Sequence, residues 1–189
     1  MAQKGAKGRT QKLTVAAMLG ALVFVATWIS VPTPFGGNVN LGDSILLLAA
    51  WLPLEPWSIL ACAIGATLTD LAAGYAIYAP ATLVIKALMV AVAVLIKHKI
   101  PTRSMVLRAL VGGVAAELVM VIGYLAYEAI FLYGTAAWFN VPFNLLQGGI
   151  AMTVATTVAF LFVRVPMPAV LRFQGWILGK DTPKKDEKE

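Results

Sequence analysis

The sequence predicts an all-α integral membrane protein, a six-helix bundle with both termini in the cytoplasm. Hydrophobic residues make up 60% of its 189 residues, and the mean hydropathy is +0.82. Soluble domains contain only about 45–50% apolar residues. The apolar residues form six segments, and the basic residues lie almost entirely in alternate connections between them. Composition, segment number and charge placement therefore indicate the same class of fold.

Each apolar segment predicts one helix, and the second is unusually short. Pro32 and Pro34 end the first segment, and Pro53 and Pro56 bound the second. The second has about 12 residues and would span about 18 Å, against about 30 Å of hydrocarbon. We expect it to start earlier, to be kinked or to lean on its neighbours. The segments lie at about 13–29, 43–54, 57–74, 81–96, 106–133 and 141–163.

The positive charges predict the orientation of the segments. With the N-terminus in the cytoplasm, 14 of the 15 Lys and Arg residues fall in inner segments. The outer connections, at about 30–42, 75–80 and 134–140, contain none. Because cytoplasmic loops are enriched in Lys and Arg, we expect a multi-pass protein of the cell membrane. Its net charge of +6 then reflects topology and not nucleic-acid binding.

This topology divides the chain into three parts. Residues 1–12 form a basic cytoplasmic N-terminus, and residues 13–163 form the membrane domain. The apolar run after residue 12 has no clear small-residue cleavage site, so we interpret it as a span and not as a signal peptide. Residues 164–189 form a cytoplasmic tail that first follows the membrane surface and is then disordered.

Common catalytic and metal-binding patterns do not occur in the sequence. The P-loop GxxxxGK[ST] and the hydrolase patterns GxSxG and HExxH are absent, which removes support for those enzyme classes. Cys62 is the one cysteine, so the chain has no internal disulfide and no Cys/His zinc spacing. His98 lies in a basic loop, where a solvated residue is expected. We therefore expect a non-catalytic protein without a cofactor or metal.

Polar residues of several segments converge on the predicted outer half of the bundle. Three of them on the fifth segment, spaced i, i+7 and i+11, share one helix face, and three at the start of the sixth share another. Ionisable groups at membrane depth usually face a protein interior or a water-filled cavity. The candidate substrate-binding residues are Asn38, Asn40, Asp43, Asp70, Tyr75, Tyr78, Lys86, Glu117, Tyr124, Glu128, Asn140, Asn144 and Gln147.

Structural roles are open for several of these residues. Asp70 and Lys86 either bind a ligand or neutralise each other as a tie between helices. Asn144 and Gln147 could be hydrogen-bonding contacts between helices, worth about 0.6–2 kcal/mol each. Glu117 needs a partner near mid-membrane, which could be Lys86, a proton or a ligand.

Three stretches of the chain resemble the substrate-binding S component of energy-coupling factor (ECF) vitamin transporters. They are NLGDS at the second segment, IGATLTDLAAGY in the third, and YAPATLVIKALM leading into the fourth. In the first segment Ala17 and Ala21 resemble the AxxxA motif of that family, doubled by Ala16 and Gly20. The resemblance covers about residues 10–165, within the riboflavin-type group that also includes hydroxymethylpyrimidine and pyridoxine binders.

The resemblance implies a non-catalytic subunit that binds a vitamin from outside. It implies partnership with a transmembrane scaffold and two cytoplasmic ATPases, with docking through Ala16, Ala17, Gly20 and Ala21. It also implies that the bundle topples in the membrane, and that the connection 31–42 covers the ligand as a lid. In this chain Gly36 and Gly37 suit a hinged cover.

The polar residues favour a small heteroaromatic ligand. Amides could bond the ring edges, and Trp28, Tyr75, Tyr78 or Tyr124 could stack on the ring. We expect hydroxymethylpyrimidine or pyridoxine as the ligand, with riboflavin as the alternative.

Two other functions compete with vitamin binding. One is a stand-alone secondary transporter with Asp70 and two glutamates as a proton or cation relay, and the other is a membrane enzyme or structural subunit without a small ligand.

Overall fold

The computed structural model describes residues 2–52, 54–102 and 104–164, with side chains at 9–52, 54–102, 104 and 106–161. Six helices account for most of the described chain, which confirms the predicted all-α membrane bundle. They are α1 (Ala2–Trp28), α2 (Gly42–Trp51), α3 (Trp57–Ala72), α4 (Ala79–Lys99), α5 (Met105–Phe131) and α6 (Val141–Arg164). The predicted tail lies, apart from Arg164, outside the described residues.

Four of the described helices are long and apolar enough to cross a membrane, and two are shorter. The long ones are within α1, α4, α5 and α6, the last together with the 3-10 helix Gly134–Asn140 before it. At 1.5 Å per residue, the 16 residues of α3 reach about 24 Å and the 10 of α2 about 15 Å. The prediction of a short second helix is thus confirmed, with bounds even narrower than expected.

Contacts between helices fix their relative directions. α1 and α3 run parallel, because Arg9 stacks over the ring of Trp57 at one end and Thr69 Oγ1 lies 3.0 Å from Phe24 O near the other. α5 packs antiparallel to α4 and α6. The chain therefore alternates between two ends of the bundle. We call them the hairpin end, which carries the connection after α1, and the basic end, which carries Lys97.

The connection after α1 is a small β-hairpin, where we predicted only a loop. Strands β1 (Ser30–Pro32) and β2 (Asn38–Asn40) pair antiparallel, with Val31 opposite Val39. The turn is closed by a hydrogen bond from Thr33 N to Gly37 O of 2.8 Å, and Gly36 adopts a positive φ of 83°, which glycine tolerates without strain.

Helix α2 lies inside the bundle although it is too short to cross it alone. Its side chains at Leu46 and Leu47 are fully buried. Residues of α4 hold both of its ends. In the first turn of α2, the Asp43 carboxylate lies 2.5 Å from Lys86 Nζ. In its last turn, Ala50 O accepts a hydrogen bond of 2.9 Å from Lys97 Nζ. The last carbonyls of a helix lack partners within it, so Lys97 satisfies one that would otherwise be left free.

At the basic end Lys97, in the last turn of α4, also pairs with Glu55, which lies in the connection between α2 and α3. Partial burial of Glu55 opposes its ionisation, but the Lys97 ammonium and the nearby His98 outweigh it and hold the pKa of Glu55 below its ordinary value of 4.5. The carboxylate is therefore charged at neutral pH. His98 is exposed as expected, with 65% of its side chain open to solvent, but it lies in the last turn of α4 and not in a loop.

Close packing of α1 on α3 accompanies the burial of two of the four predicted docking residues. A Cβ added to Gly20 would overlap the backbone carbonyl of Ala61, and one added to Gly65 would overlap that of Gly20. Ala16 is only 1% exposed and Gly20 is also buried. These two residues therefore lie in the interior of the bundle. Ala17 and Ala21 are exposed.

Candidate functional site

A cavity opens at the hairpin end of the bundle, between the hairpin and five of the helices. Its space amounts to about 490 Å³, which includes the part open to solvent. Its walls combine amides, hydroxyls, aromatic rings and charged groups. The lining residues are Thr27, Gly37, Asn38, Asn40, Ala66, Asp70, Tyr75, Tyr78, Thr82, Lys86, Tyr124, Glu128, Asn144 and Gln147.

Most of the predicted binding residues lie around this cavity. The convergence was inferred from spacing along separate helices, and the structure brings ten of the thirteen residues together. Whether they bind a ligand stays a prediction. The ten are Asn38, Asn40, Asp70, Tyr75, Tyr78, Lys86, Tyr124, Glu128, Asn144 and Gln147.

Three predicted residues do not line the cavity. Asp43, Glu117 and Asn140 are 1%, 6% and 2% exposed and lie behind the cavity wall. Each is on a predicted helix face or connection, but the helices are rotated so that these side chains point into the bundle. They can act on a ligand only through the residues in front of them.

Lys86 is paired with Asp43, and not with Asp70 as one reading of the sequence expected. Its ammonium lies 2.5 Å from Asp43 Oδ1, and both side chains are almost fully buried. The tyrosine ring of Tyr124 lies 5.5 Å from the same ammonium and contributes a cation–π contact. Lys86 is therefore already compensated before any ligand arrives.

Gln147 joins the hairpin to the buried ion pair. Its Oε1 accepts a hydrogen bond from Asn40 N at 2.9 Å, and its Nε2 donates to Asp43 Oδ2 at 2.5 Å. The side chain of Asn40 is occupied as well, since it bonds Asn38 Oδ1 and Gly42 N, each at 3.0 Å. These amides are braced by the protein, which leaves them little freedom to bond a ligand.

Two polar atoms of the cavity wall have no hydrogen-bond partner among the described residues. They are Asp70 Oδ2, an acceptor, and Asn144 Nδ2, a donor, and both are buried. Buried polar groups in native structures are almost always hydrogen-bonded to protein or water. The lining residues thus include one acceptor and one donor whose hydrogen-bonding capacity is unmet among the described residues.

Aromatic side chains form one side of the cavity. The rings of Tyr75 and Tyr124 lie 6.4 and 6.3 Å from that of Tyr78. Tyr78 OH lies 3.2 Å from Glu128 Oε1, and Thr82 Oγ1 lies 3.0 Å from Tyr124 OH. Trp28, proposed above as a stacking residue, is not part of the lining: its ring packs on Phe24 and it is 52% exposed.

Asn140 ties the hairpin to the rest of the cavity wall. Its Nδ2 donates to Glu128 Oε2 at 2.9 Å and lies 3.2 Å from Phe35 O of the hairpin turn. The rings of Phe35 and Phe139 stack beside it, with their centroids 5.0 Å apart. Asn140 therefore holds the hairpin in place and occupies one oxygen of Glu128.

The comparison with known proteins gives this site a family. The family model described as the ECF-type riboflavin transporter S component matches residues 7–172, which is most of the chain. The chain belongs to this family of ECF S components. A search of curated proteins found no match. As an ECF S component, the chain is a membrane-embedded, vitamin-binding subunit of a transporter and not a catalytic enzyme.

Four lining residues of this S component were missed by the sequence reasoning. Thr27 and Thr82 are common hydroxyl residues in apolar segments, and Gly37 and Ala66 have no polar side chain. No local signal identifies such residues, because they contribute backbone atoms, a small hydroxyl group or only the room that a small side chain leaves.

Among the side chains that the structure describes, no group of three or more His, Cys, Asp or Glu residues could hold a metal.

Proposed function

We propose that this S component captures an uncharged or cationic nitrogen heteroaromatic vitamin or vitamin precursor from outside the cell. Hydroxymethylpyrimidine and pyridoxine are the preferred ligands, and riboflavin, which the family description names, is the alternative. The cavity would face outward, with the hairpin as its cover and the basic end in the cytoplasm, in agreement with the distribution of Lys and Arg.

The unpaired acceptor of Asp70 and the unpaired donor of Asn144, both on residues that line the cavity, carry this proposal. An aminopyrimidine offers an amino donor and a ring-nitrogen acceptor on one edge, and pyridoxine offers hydroxyls and a protonatable ring nitrogen. Either ligand would satisfy both buried atoms, and the three tyrosines offer ring faces for packing.

The balance of charge around the cavity supports a ligand without negative charge. The ammonium of Lys86 is neutralised by Asp43, and the oxygens of Glu128 already accept hydrogen bonds from Tyr78 and Asn140. Asp70 then leaves the lining with a carboxyl oxygen that has no hydrogen-bond partner among the described residues. A phosphate or a dicarboxylate would meet repulsion there, because no lining cation in the described structure is free to receive it.

Transport itself requires partners in this proposal. A transmembrane scaffold would receive the loaded S component through the exposed Ala17 and Ala21 face of α1. Two cytoplasmic ATPases would supply the energy, because the sequence contains no P-loop of its own.

Calorimetry of the purified protein against B vitamins and their precursors tests this function. We expect hydroxymethylpyrimidine or pyridoxine to bind in the micromolar range or better, and pyridoxal 5′-phosphate to bind at least about tenfold more weakly, which is about 1.4 kcal/mol. Tight binding of riboflavin alone would select the alternative. If no compound of the panel binds better than about millimolar, near −4 kcal/mol, the proposed function is wrong.

A further inference from the structure

The hairpin and the cavity floor are connected by an unbroken chain of hydrogen bonds. It runs from Asn40 N on β2 to Gln147 on α6, then to Asp43 on α2 and to Lys86 on α4. The successive distances are 2.9, 2.5 and 2.5 Å. These hydrogen bonds thus link four separate elements, and none of the four residues is more than 9% exposed.

We propose that Gln147 is a positioning residue that transmits the state of the Asp43–Lys86 pair to the hairpin. Gln147 is suited to this because its amide is an acceptor on one side and a donor on the other. Rotation of that amide would place its NH₂ against the Asn40 N–H and its oxygen against the Asp43 carboxylate. Both contacts would then be repulsive, so the closed hairpin and the intact ion pair require the same orientation of Gln147.

Lys86, Asn40 and Gln147 all line the cavity, and Lys86 is the member of the ion pair that a ligand can reach. A ligand acceptor that approaches the ammonium competes with Asp43 for it, and a change at Asp43 acts directly on the Gln147 amide. Occupancy of the cavity would therefore change how firmly the hairpin is held. Glu117 and Asp70, the other acids near this pair, make no hydrogen bond to Gln147 in the described structure. The inference rests on the proposed function only in treating the hairpin as the cover of a vitamin site.

Hydrogen exchange at the Asn40 amide measures the proposed transmission without any ligand. The purified full chain in detergent is compared with its variants by mass spectrometry with fragmentation that isolates this amide. The Thr33 amide, which bonds Gly37 O inside the hairpin, is the internal control and should not change. In Lys86→Met, the hydrogen-exchange rate of the Asn40 amide should rise by about fivefold or more. Lys86 makes no hydrogen bond to the hairpin, so such a rise would have to pass through Asp43 and Gln147.

Exchanging the carboxylate and the amide between positions 43 and 147 should restore slow exchange at the Asn40 amide. In Gln147→Glu the new carboxylate faces Asp43, and Asn40 exchange should rise by about tenfold. Adding Asp43→Asn restores one carboxylate, one amide and one ammonium, with the hydrogen bond between positions 43 and 147 reversed in direction. The double variant should return to within about threefold of the wild-type exchange rate.

The proposal is overturned if Asn40 exchange in Lys86→Met equals that of the wild type, or if the double variant exchanges as fast as Gln147→Glu. If Gln147→Glu does not fold, Gln147→Met tests the same bond, with a rise of about tenfold expected and no change overturning the proposal. A wild-type chain that binds no vitamin contradicts the proposed function alone, because the exchange experiment contains no ligand.

Discussion

Asp70 and Lys86 both line the cavity, yet only one of them is left with an unmet hydrogen-bonding requirement. Asp43 neutralises Lys86 at 2.5 Å, whereas Asp70 Oδ2 has no partner among the described residues. A buried acceptor without a partner costs about 1–3 kcal/mol, and more when it is charged. The residue that gains most from a ligand is therefore Asp70.

Replacing Asp70 by Asn should reduce ligand affinity while leaving the fold intact. Loss of a charged acceptor should weaken binding by about 1.5–3 kcal/mol, and the thermal unfolding midpoint without ligand should be unchanged or higher. Calorimetry and unfolding in detergent measure the two effects. Glu128→Gln is the matched control, because the Glu128 oxygens are already bonded to Tyr78 and Asn140, so its main effect should be on stability. Unchanged affinity in Asp70→Asn would assign Asp70 a structural role.

At this scale the sequence identified which residues meet but not which of them pair. The spacing of polar residues on α5 and α6 was enough to place Glu128, Asn144 and Gln147 at one end of the bundle. The partner of Lys86 was not predictable, because Asp43 and Asp70 lie at similar depth and only the rotation of α2 decides between them. That rotation depends on packing across the whole core.

At the scale of elements, the contact between α1 and α3 depends on two glycines. The Gly20 carbonyl occupies the space where a Cβ on Gly65 would be, so the two backbones approach more closely than any side chain would permit. Membrane helices associate through such close backbone contacts because lipid provides no hydrophobic drive. α3 carries Ala66 and Asp70 of the cavity wall, so this contact also sets the position of the site.

Gly65→Ala should destabilise the bundle by about 1–3 kcal/mol, because the added methyl group must displace backbone. Gly149→Ala is a matched control, since a Cβ there meets nothing within 4 Å, and it should be neutral or stabilising by up to about 1 kcal/mol from helix propensity. Unfolding of both variants in the same detergent measures the difference. Equal stabilities would mean that α1 can shift away from α3 at no cost.

The elements themselves were largely predictable, and the exceptions have physical reasons. Long apolar runs bounded by proline or charge define α4, α5 and α6 to within a few residues. The hairpin was missed because each of its strands has only three residues, too few to show an alternating pattern. Ala16 and Gly20 were assigned to the outer face because a small residue suits internal packing and external docking equally well.

At the scale of the whole molecule, the site occupies one end of the bundle and the predicted docking face occupies one side. Ala17 and Ala21 are one helical turn apart on the exposed face of α1, while the opposite face of α1 packs on α3. A partner that binds this face would thus contact the same helix that supports the cavity wall, without touching the cavity.

Ala17→Leu should impair assembly with the scaffold and leave vitamin affinity within about twofold, less than about 0.5 kcal/mol. The added side chain would hold the two helices apart where small residues allow close approach. Co-purification with the scaffold and ATPases measures assembly, and calorimetry of the isolated chain measures affinity. Ala126→Leu, at an exposed alanine of α5, is the control. Loss of affinity together with assembly would show that Ala17 supports the fold instead.

The class of molecule was accessible from the sequence, and its ligand was not. Hydropathy and charge asymmetry are properties of long segments, which survive many substitutions and are therefore easy to recognise. The ligand depends on a few atoms, such as Asp70 Oδ2 and Asn144 Nδ2, whose freedom is known only once every neighbouring donor and acceptor has been placed.

Two lysines of α4 clamp α2 along its length. Lys86 and Lys97 are about three turns apart and hold the Asp43 carboxylate and the Ala50 carbonyl, one at each end of α2. Two fixed points on a rigid rod remove both sliding and tilting. In the transport cycle α2 and α4 would then move as a single rigid body, whereas the short hairpin ahead of Asp43 is held by neither lysine.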